Sequence, residues 1–256
     1  MKSSMPVLFV GHGSPMNAVE ENRFSSGWKT IGEKFPRPKA ILSISAHWFT
    51  DKTRIMDTPT PSTIHDMYGF PRELYEITYP APGAPETAHK AKALIQRDTM
   101  IDNGWGLDHG TWSVLRRIYP NADIPVFQIS IDYHAPLEEH YRIGRSLRML
   151  REQGVLLFGS GNVVHNLGKI AWDMNGGYSW AREFDDYIRK AVENGEHEKV
   201  IRYDQAGPSS SLAFHSIDHF APLLYVLGAS DAHDDVFVFN DACMLGSISM
   251  TSYLIG

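Results

Sequence analysis

The chain has little with which to cross a membrane, bind a polyanion or brace itself covalently. Its 256 residues contain one cysteine, Cys243, so no intrachain disulfide is available and a reducing, cytoplasmic setting is the natural expectation. No stretch approaches the 18 uninterrupted apolar residues of a membrane span. The opening MKSSMPVLFVGHGS holds only a short apolar run between Pro6 and Gly11, and lacks the longer hydrophobic region of a secretory signal. Lys and Arg are scattered within a net charge of −6, which argues against a nucleic-acid surface. No Gly-, Ser- or Pro-rich linker and no internal repeat divides the chain. The dinucleotide fingerprint is missing, since Met16 stands where the third glycine after Gly11-His12-Gly13 should be, and no phosphate-loop pattern occurs.

What is present fits one α/β domain over residues 1–256, with apolar residues making up 43% of the chain. Val7 to Val10, Ala40 to Ala46, Ile124 to Ile131, Val155 to Phe158, Val236 to Phe239 and Leu245 to Tyr253 read as strands. Several are continuously apolar, as expected of strands covered on both faces. Helical spacing occupies Pro85 to Ile95, the segment from an Asp108 cap to Ile118, the stripe Leu137, Tyr141, Gly144, Leu147, Leu150, and the stripe Phe184, Ile188, Ala191, Val192. Ser216 is read as the cap of a helix ending near Leu227-Gly228 and bent at Pro222. The alternation predicts a single three-layer αβα domain with a mixed, largely buried central sheet. The aperiodic stretch from Asp57 to Pro85 interrupts it and has the length of a loop that walls an active site.

The abundant residue is histidine, 12 in all, several of them where a strand gives way to a turn. Ligands of open α/β sheets bind beyond the carboxyl ends of the strands, so His12, His47 and His165 are candidate ligands or acid/base groups. Each also has a plain reading as a hydrogen-bonded turn residue. His109 reads equally as a first-turn helix residue or a pocket donor. His215 and His219 are four apart, but a cap at Ser216 leaves His219 as the candidate at the helix start. His65 lies in an aromatic loop with Tyr68, Phe70 and Tyr75, a reasonable wall for a flat ring and equally a packing feature. His140 reads as structural or surface, and His89, His197 and His233 as solvent-facing. None of these belongs to a short metal motif, so a metal site would rest on convergence in space. Ser14 and Ser160 sit in strand-end turns without the frame of a nucleophile elbow.

Taken together, Leu8-Phe9-Val10-Gly11-His12-Gly13-Ser14-Pro15-Met16-Asn17, Ser45-Ala46-His47-Trp48, Thr63-Ile64-His65-Asp66, Tyr79-Pro80-Ala81-Pro82-Gly83, Asp108-His109-Gly110-Thr111-Trp112, Gly161-Asn162-Val163-Val164-His165-Asn166 and His219-Phe220-Ala221-Pro222-Leu223-Leu224-Tyr225 are recognisable. In that order they resemble the DOPA extradiol branch of the class III, LigB-type ring-cleaving dioxygenases, over almost the whole chain. The resemblance implies an αβα enzyme that opens a catechol, DOPA or a related one, with molecular oxygen to a muconic semialdehyde. It implies one divalent ion, Fe(II) or Zn(II), on His12, His47 and His219, with His165 as the acid/base group or a fourth resting-state ligand. His109 would then be a second pocket histidine, and His65, Tyr68 and Phe70 would line the substrate pocket. Many members place a glutamate where His219 stands, and three neutral imidazoles leave the ion's charge undiminished, favouring a catecholate. The expected partners are small: a catechol and oxygen, with no nucleic acid or membrane. A zinc-dependent hydrolase and an inactive metal-binding interaction protein are the alternatives on the same residues.

Overall fold

The structure, a computed structural model, describes residues 4–256. Its centre is an eight-stranded sheet built from β1 (Val7–Gly11), β2 (Ala40–Thr50), β3 (Thr53–Ile55), β4 (Thr99–Ile101), β5 (Val126–Asp132), β6 (Val155–Gly161), β7 (Val236–Phe239) and β10 (Ser252–Ile255), in the order β4-β3-β5-β2-β6-β1-β10-β7. The four central strands β5, β2, β6 and β1 run parallel, while β3 pairs with β5 and β10 with β1 in the antiparallel sense. β8 (Cys243–Met244) and β9 (Ile248–Ser249) form a separate two-stranded ribbon.

Burial on both faces explains the continuous apolar strands. Along β1, Val7 and Phe9 enter one core cluster and Leu8 and Val10 the other, the period-two alternation of a strand between two helix layers. One layer contains Phe24, Trp28 and Ile31 of helix Arg23–Ile31 and Trp112, Leu115 and Ile118 of helix His109–Ile118. The other contains helices Pro85–Leu94, Leu137–Leu147, Ser179–Glu193 and Ala221–Ala229. The αβα reading therefore holds.

Three local readings change. The run Leu245 to Tyr253 is not one strand: β9 and β10 flank a break, and Leu245 turns in the left-handed region at φ 51°. The last long helix starts at Ala221, so Ser216 is not its cap, and Pro222 sits in the first turn, where no intrahelical donor is lost and no bend results. Helix Arg23–Ile31 lies outside the expected elements, although its Asn22 cap, the reciprocal bond with Ser25 and the i, i+4, i+7 stripe of Phe24, Trp28 and Ile31 all precede a glycine.

Candidate metal centre

Five histidines meet beyond the carboxyl ends of the parallel strands, as strand-end placement implied. His12 follows β1, and Gly13 behind it adopts φ 57°, a conformation that turns the chain sharply and favours glycine. His47 lies within β2, whose pairing with β5 slips between Ile44 and Phe49; that irregularity carries the strand past the point where the apolar run stops. His109 is the first residue of its helix, capped by the Asp108 carboxylate, which accepts from the Thr111 amide at 3.1 Å. His165 follows β6 and bonds through its backbone amide to the Ala213 carbonyl at 2.8 Å. His219 precedes helix Ala221–Ala229, and its carbonyl accepts from the Asn162 amide at 2.8 Å. A Cβ on Gly161 would stand 2.1 Å from that carbonyl, so the glycine permits the β6 turn and the His219 loop to touch.

Hydrogen bonds decide which nitrogen each ring turns inward. Ser160 Oγ donates to the Gly110 carbonyl at 2.6 Å and therefore accepts from His12 Nδ1 at 3.0 Å. His219 Nδ1 donates to the Asp218 carboxylate at 2.7 Å, and Ser216 Oγ donates to the other oxygen of that carboxylate. Asp66 accepts from the His109 amide at 2.8 Å and from His109 Nδ1 at 3.0 Å, while His47 Nδ1 lies 3.2 Å from the same carboxylate. Burial alone would raise the Asp66 carboxyl, but the hydrogen bonds it accepts from the His109 ring and amide outweigh this and bring it down to about 2, so it stands as an anion facing imidazole N–H groups. With Nδ1 protonated, Nε2 of His12 and of His47 are bare, and these two nitrogens face one another at 3.2 Å. Opposed lone pairs at that distance repel unless a cation lies between them.

Burial, reinforced by mutual repulsion, holds the imidazoles of His12, His47, His165 and His219 neutral. It takes His12 and His219 well below the ordinary value, and brings His47 and His165 to about 4. Neutral rings whose Nδ1 is held by an acid or hydroxyl form a donor set that fits a divalent ion. Ligand nitrogens of His12, His47 and His109 all lie within 4.8 Å of one another, a three-histidine cluster able to hold such an ion. The His219 ring stands beside them, its centroid 5.2 Å from that of His12 and 5.1 Å from that of His47.

The cluster floors a cavity of about 290 Å³ whose walls include Pro15, Met67, Phe70, Leu167, Ile170, Trp172, Met244, Leu245 and Ile248. The loop from Asp57 to Pro85 does wall it, through Met67 and Phe70. Two expected wall residues do not. Tyr68 is 91% exposed and turned to solvent, because the intervening Gly69 at φ 79° places it on the far side of the loop from Phe70. His65 is held behind the wall, Nε2 lying 3.0 Å from the Ile77 carbonyl and its ring packed on Trp112. His140 is buried against the Tyr225 hydroxyl at 3.0 Å, a structural residue; His197 is half-buried against the Tyr141 hydroxyl and not solvent-facing. Sequence reasoning missed Asp66 and Ser160 as the partners that orient the rings. Both stand beside the motifs already quoted, but only the fold shows what they touch. No local signal marked Trp172, Met244 or Leu245.

Comparison with known proteins agrees with this geometry. A family model described as the catalytic LigB subunit of aromatic ring-opening dioxygenase matches residues 5–246. A 4,5-DOPA dioxygenase extradiol of Escherichia coli (strain K12) is 43% identical over 261 residues, covering 98% of this chain and 95% of the relative. The protein of the same name from Beta vulgaris is 36% identical over 256 residues, with 96% and 94% covered. The crystal structure of an uncharacterised protein from Escherichia coli K12 superposes with a TM-score of 0.86 at 38% identity, covering 98% of this chain and all of that one. No helix among the described residues is long and apolar enough to cross a membrane. With a histidine cluster able to hold a divalent ion at the strand ends and a family match across nearly its whole length, the chain belongs to the LigB family of class III extradiol dioxygenases, metal-dependent ring-cleaving enzymes, in its DOPA-dioxygenase branch.

Proposed function

We propose that His12, His47 and His219 together hold one divalent ion, Fe(II) or Zn(II), and that the protein opens the ring of a catechol, DOPA or a related one, to a muconic semialdehyde. The observation that carries the ligand assignment is a triangle. Imidazoles sharing a tetrahedral ion through bonds of about 2.0–2.1 Å have ring centroids roughly 5 Å apart. The His12–His47, His12–His219 and His47–His219 centroids are separated by 5.1, 5.2 and 5.1 Å. His109 is only 3.9 Å from His47, and His165 lies parallel to His219 at 3.5 Å, both too close to share the ion with those neighbours in that geometry. We therefore favour His219 over His109 as the third ligand and place His165 outside the ligand set.

When bound, the ion supplies Lewis acidity to two adjacent hydroxyl oxygens of the substrate and, as Fe(II), redox contact with oxygen. The chain's own groups do the rest. His165, neutral, stacked on His219 and lining the cavity, takes the proton from a catechol hydroxyl through a ring nitrogen. Asp66 anchors His109 through Nδ1, which leaves Nε2 as a hydrogen-bond acceptor towards the cavity. Phe70, Ile248 and Pro15 exclude water from a flat ring lying over the cluster. The reducing setting suited to an unpaired, buried Cys243 accords with a cytoplasmic enzyme.

The test is oxygen uptake and product analysis on anaerobically Fe(II)-loaded protein given DOPA, protocatechuate or catechol. Stoichiometric oxygen consumption with a yellow ring-opened product is expected. Oxygen-independent hydrolysis with a zinc-loaded sample, or metal binding without turnover on any catechol, would replace this reading by a hydrolase or an inactive binding protein.

A further inference from the structure

One buried acid takes no direct part in the metal centre. Asp185, on helix Ser179–Glu193, is 4% exposed, and hydroxyls from a distant part of the chain engage both of its carboxylate oxygens. Oδ1 accepts from Ser249 Oγ at 2.5 Å and Oδ2 from Thr251 Oγ1 at 2.6 Å, and both donors are fully buried. Ser249 ends β9 and Thr251 precedes β10, so the two bonds grip either side of the corner at Met250, where the chain leaves the ribbon for the central sheet. Among the described residues no Lys, Arg or His forms an ion pair with Asp185; Arg189, one turn on, is engaged by Asp186 at 2.8 Å and Glu193 at 3.1 Å.

That corner lies between the two segments that carry His165 and His12. On one side, the Ser249 amide donates to the Val164 carbonyl at 2.9 Å, and the Ser249 carbonyl accepts from Asn162 Nδ2 at 2.6 Å. Ile248 pairs with His165 in the antiparallel sense and lines the cavity. On the other side, the Gly11 amide donates to Ser252 Oγ at 3.0 Å, and a Cβ on Gly11 would stand 2.7 Å from the Met250 carbonyl carbon. The backbone of the corner therefore touches the chain on both sides of His165 and the residue before His12.

Resting on the reading of the site as a catechol dioxygenase, we propose that Asp185 is a positioning residue of that site: by holding both sides of the Met250 corner, it fixes His165 relative to His12 and so to a substrate hydroxyl. Its charge does not serve stability. Burial pushes the carboxyl up to about 6 from an ordinary 3.8, against the hydroxyl bonds of Ser249 and Thr251 and with added repulsion from Asp241 and Asp186. The folded value lies above the unfolded one, so this group lowers stability as pH rises from about 4 to about 6 and keeps it lowered at neutral pH. The other titratable groups around it are Arg182 and Arg189 on its own helix, Cys243 in the ribbon and Tyr253 on β10; burial pushes the Cys243 thiol and the Tyr253 hydroxyl up, so both stay protonated. Protonation of Asp185 would turn one acceptor oxygen into a donor, so one hydroxyl bond must reverse or break and the corner loosens.

The experiment compares the parent with Asp185→Asn, which keeps the shape but cannot ionise, in two arms. In the first, Fe(II)-loaded protein is given DOPA in single-turnover ring cleavage. The variant should melt no lower than the parent at pH 7.5 and bind Zn(II) within about threefold, yet cleave about tenfold more slowly, the scale of a slightly misplaced group. Parent turnover should fall as pH drops through about 6 while that of the variant stays level, narrowing the difference to about threefold at pH 5.5. In the second arm, the ring resonances of His165 and the amide resonances of Ile248 and Ser249 are followed by NMR in Zn(II)-loaded protein. They should shift with a midpoint near pH 6 in the parent and not in the variant. Unchanged turnover in the variant, a melting temperature that falls along with turnover, or His165 resonances indifferent to pH near 6 would each overturn the proposal. A parent that cleaves no catechol would sink the dioxygenase reading alone, because the NMR arm still decides whether Asp185 positions His165.

Discussion

Replacing His219 and His109 by alanine in separate variants asks which imidazole completes the metal site. The two residues differ in how they are held. His219 forms a triangle of 5.1–5.2 Å with His12 and His47, and its Nδ1 is bound to Asp218 at 2.7 Å. His109 crowds His47 at 3.9 Å and is tied to Asp66. A four-ligand structural zinc site is worth about 10–16 kcal/mol, so one imidazole contributes roughly 2.5–4 kcal/mol, which is about 60- to 700-fold in affinity. His219→Ala should therefore weaken Zn(II) binding by that factor. Asp218→Asn, which keeps the shape but removes the charge that orients the ring, should weaken it by about 10- to 100-fold. His109→Ala should stay within about tenfold of the parent. The assay is competition for Zn(II) against a chromophoric chelator at pH 7.5, with circular dichroism to establish that each variant is folded. Intact affinity in the His219 variant together with loss in the His109 variant would refute the ring-spacing argument and move the site to the tighter cluster of His12, His47 and His109.

His165→Asn should retain metal while single-turnover ring cleavage falls by roughly 10²- to 10⁴-fold, the scale of losing a positioned acid/base group; loss of the metal would make His165 a ligand. Gly161→Ala forces a Cβ to within 2.1 Å of the His219 carbonyl, and overpacking of this kind costs about 1–3 kcal/mol. At roughly 2–4 °C per kcal/mol for a domain of this size, the melting temperature should drop by several degrees and metal affinity with it; an unchanged melting curve would count against the contact. Acid should destabilise the metal-free protein. Burial holds His12 and His219 well below, and His47, His140 and His165 at about 4 against an ordinary 6.5, so between those pH values the unfolded chain binds protons that the folded one refuses. Stability is then complete above about pH 6.5 and is lost as pH falls towards 4, His140 alone accounting for on the order of 3 kcal/mol. Urea midpoints at pH 7 and pH 5 measure this, and equal midpoints would show that the imidazoles are not held neutral by burial.

Composition and periodicity alone determined the layered α/β fold, because a strand buried on both faces must be continuously apolar and its covering helices must carry a stripe, as β1 and helix His109–Ile118 do. Strand-end placement likewise made His12, His47 and His165 legible, since the parallel topology sends those ends to one edge. His219 is legible too, as a candidate at a helix start to which the family motifs give the role of third ligand, but the helix begins at Ala221 rather than after Ser216, which makes Pro222 a first-turn residue and not a kink. Tertiary structure decided the rest. Which nitrogen of each ring points inward depends on Ser160, Asp66 and Asp218, of which Ser160 is 148 residues from His12 and Asp66 is 43 from His109. The cavity walls come from the Asp57–Pro85 loop, the Leu167–Trp172 turn and the β8–β9 ribbon, segments with no common pattern. Tyr68 and Phe70 show the limit most plainly: two aromatics in one loop, one in the pocket and one in solvent, divided by a glycine whose φ of 79° only the folded chain reveals.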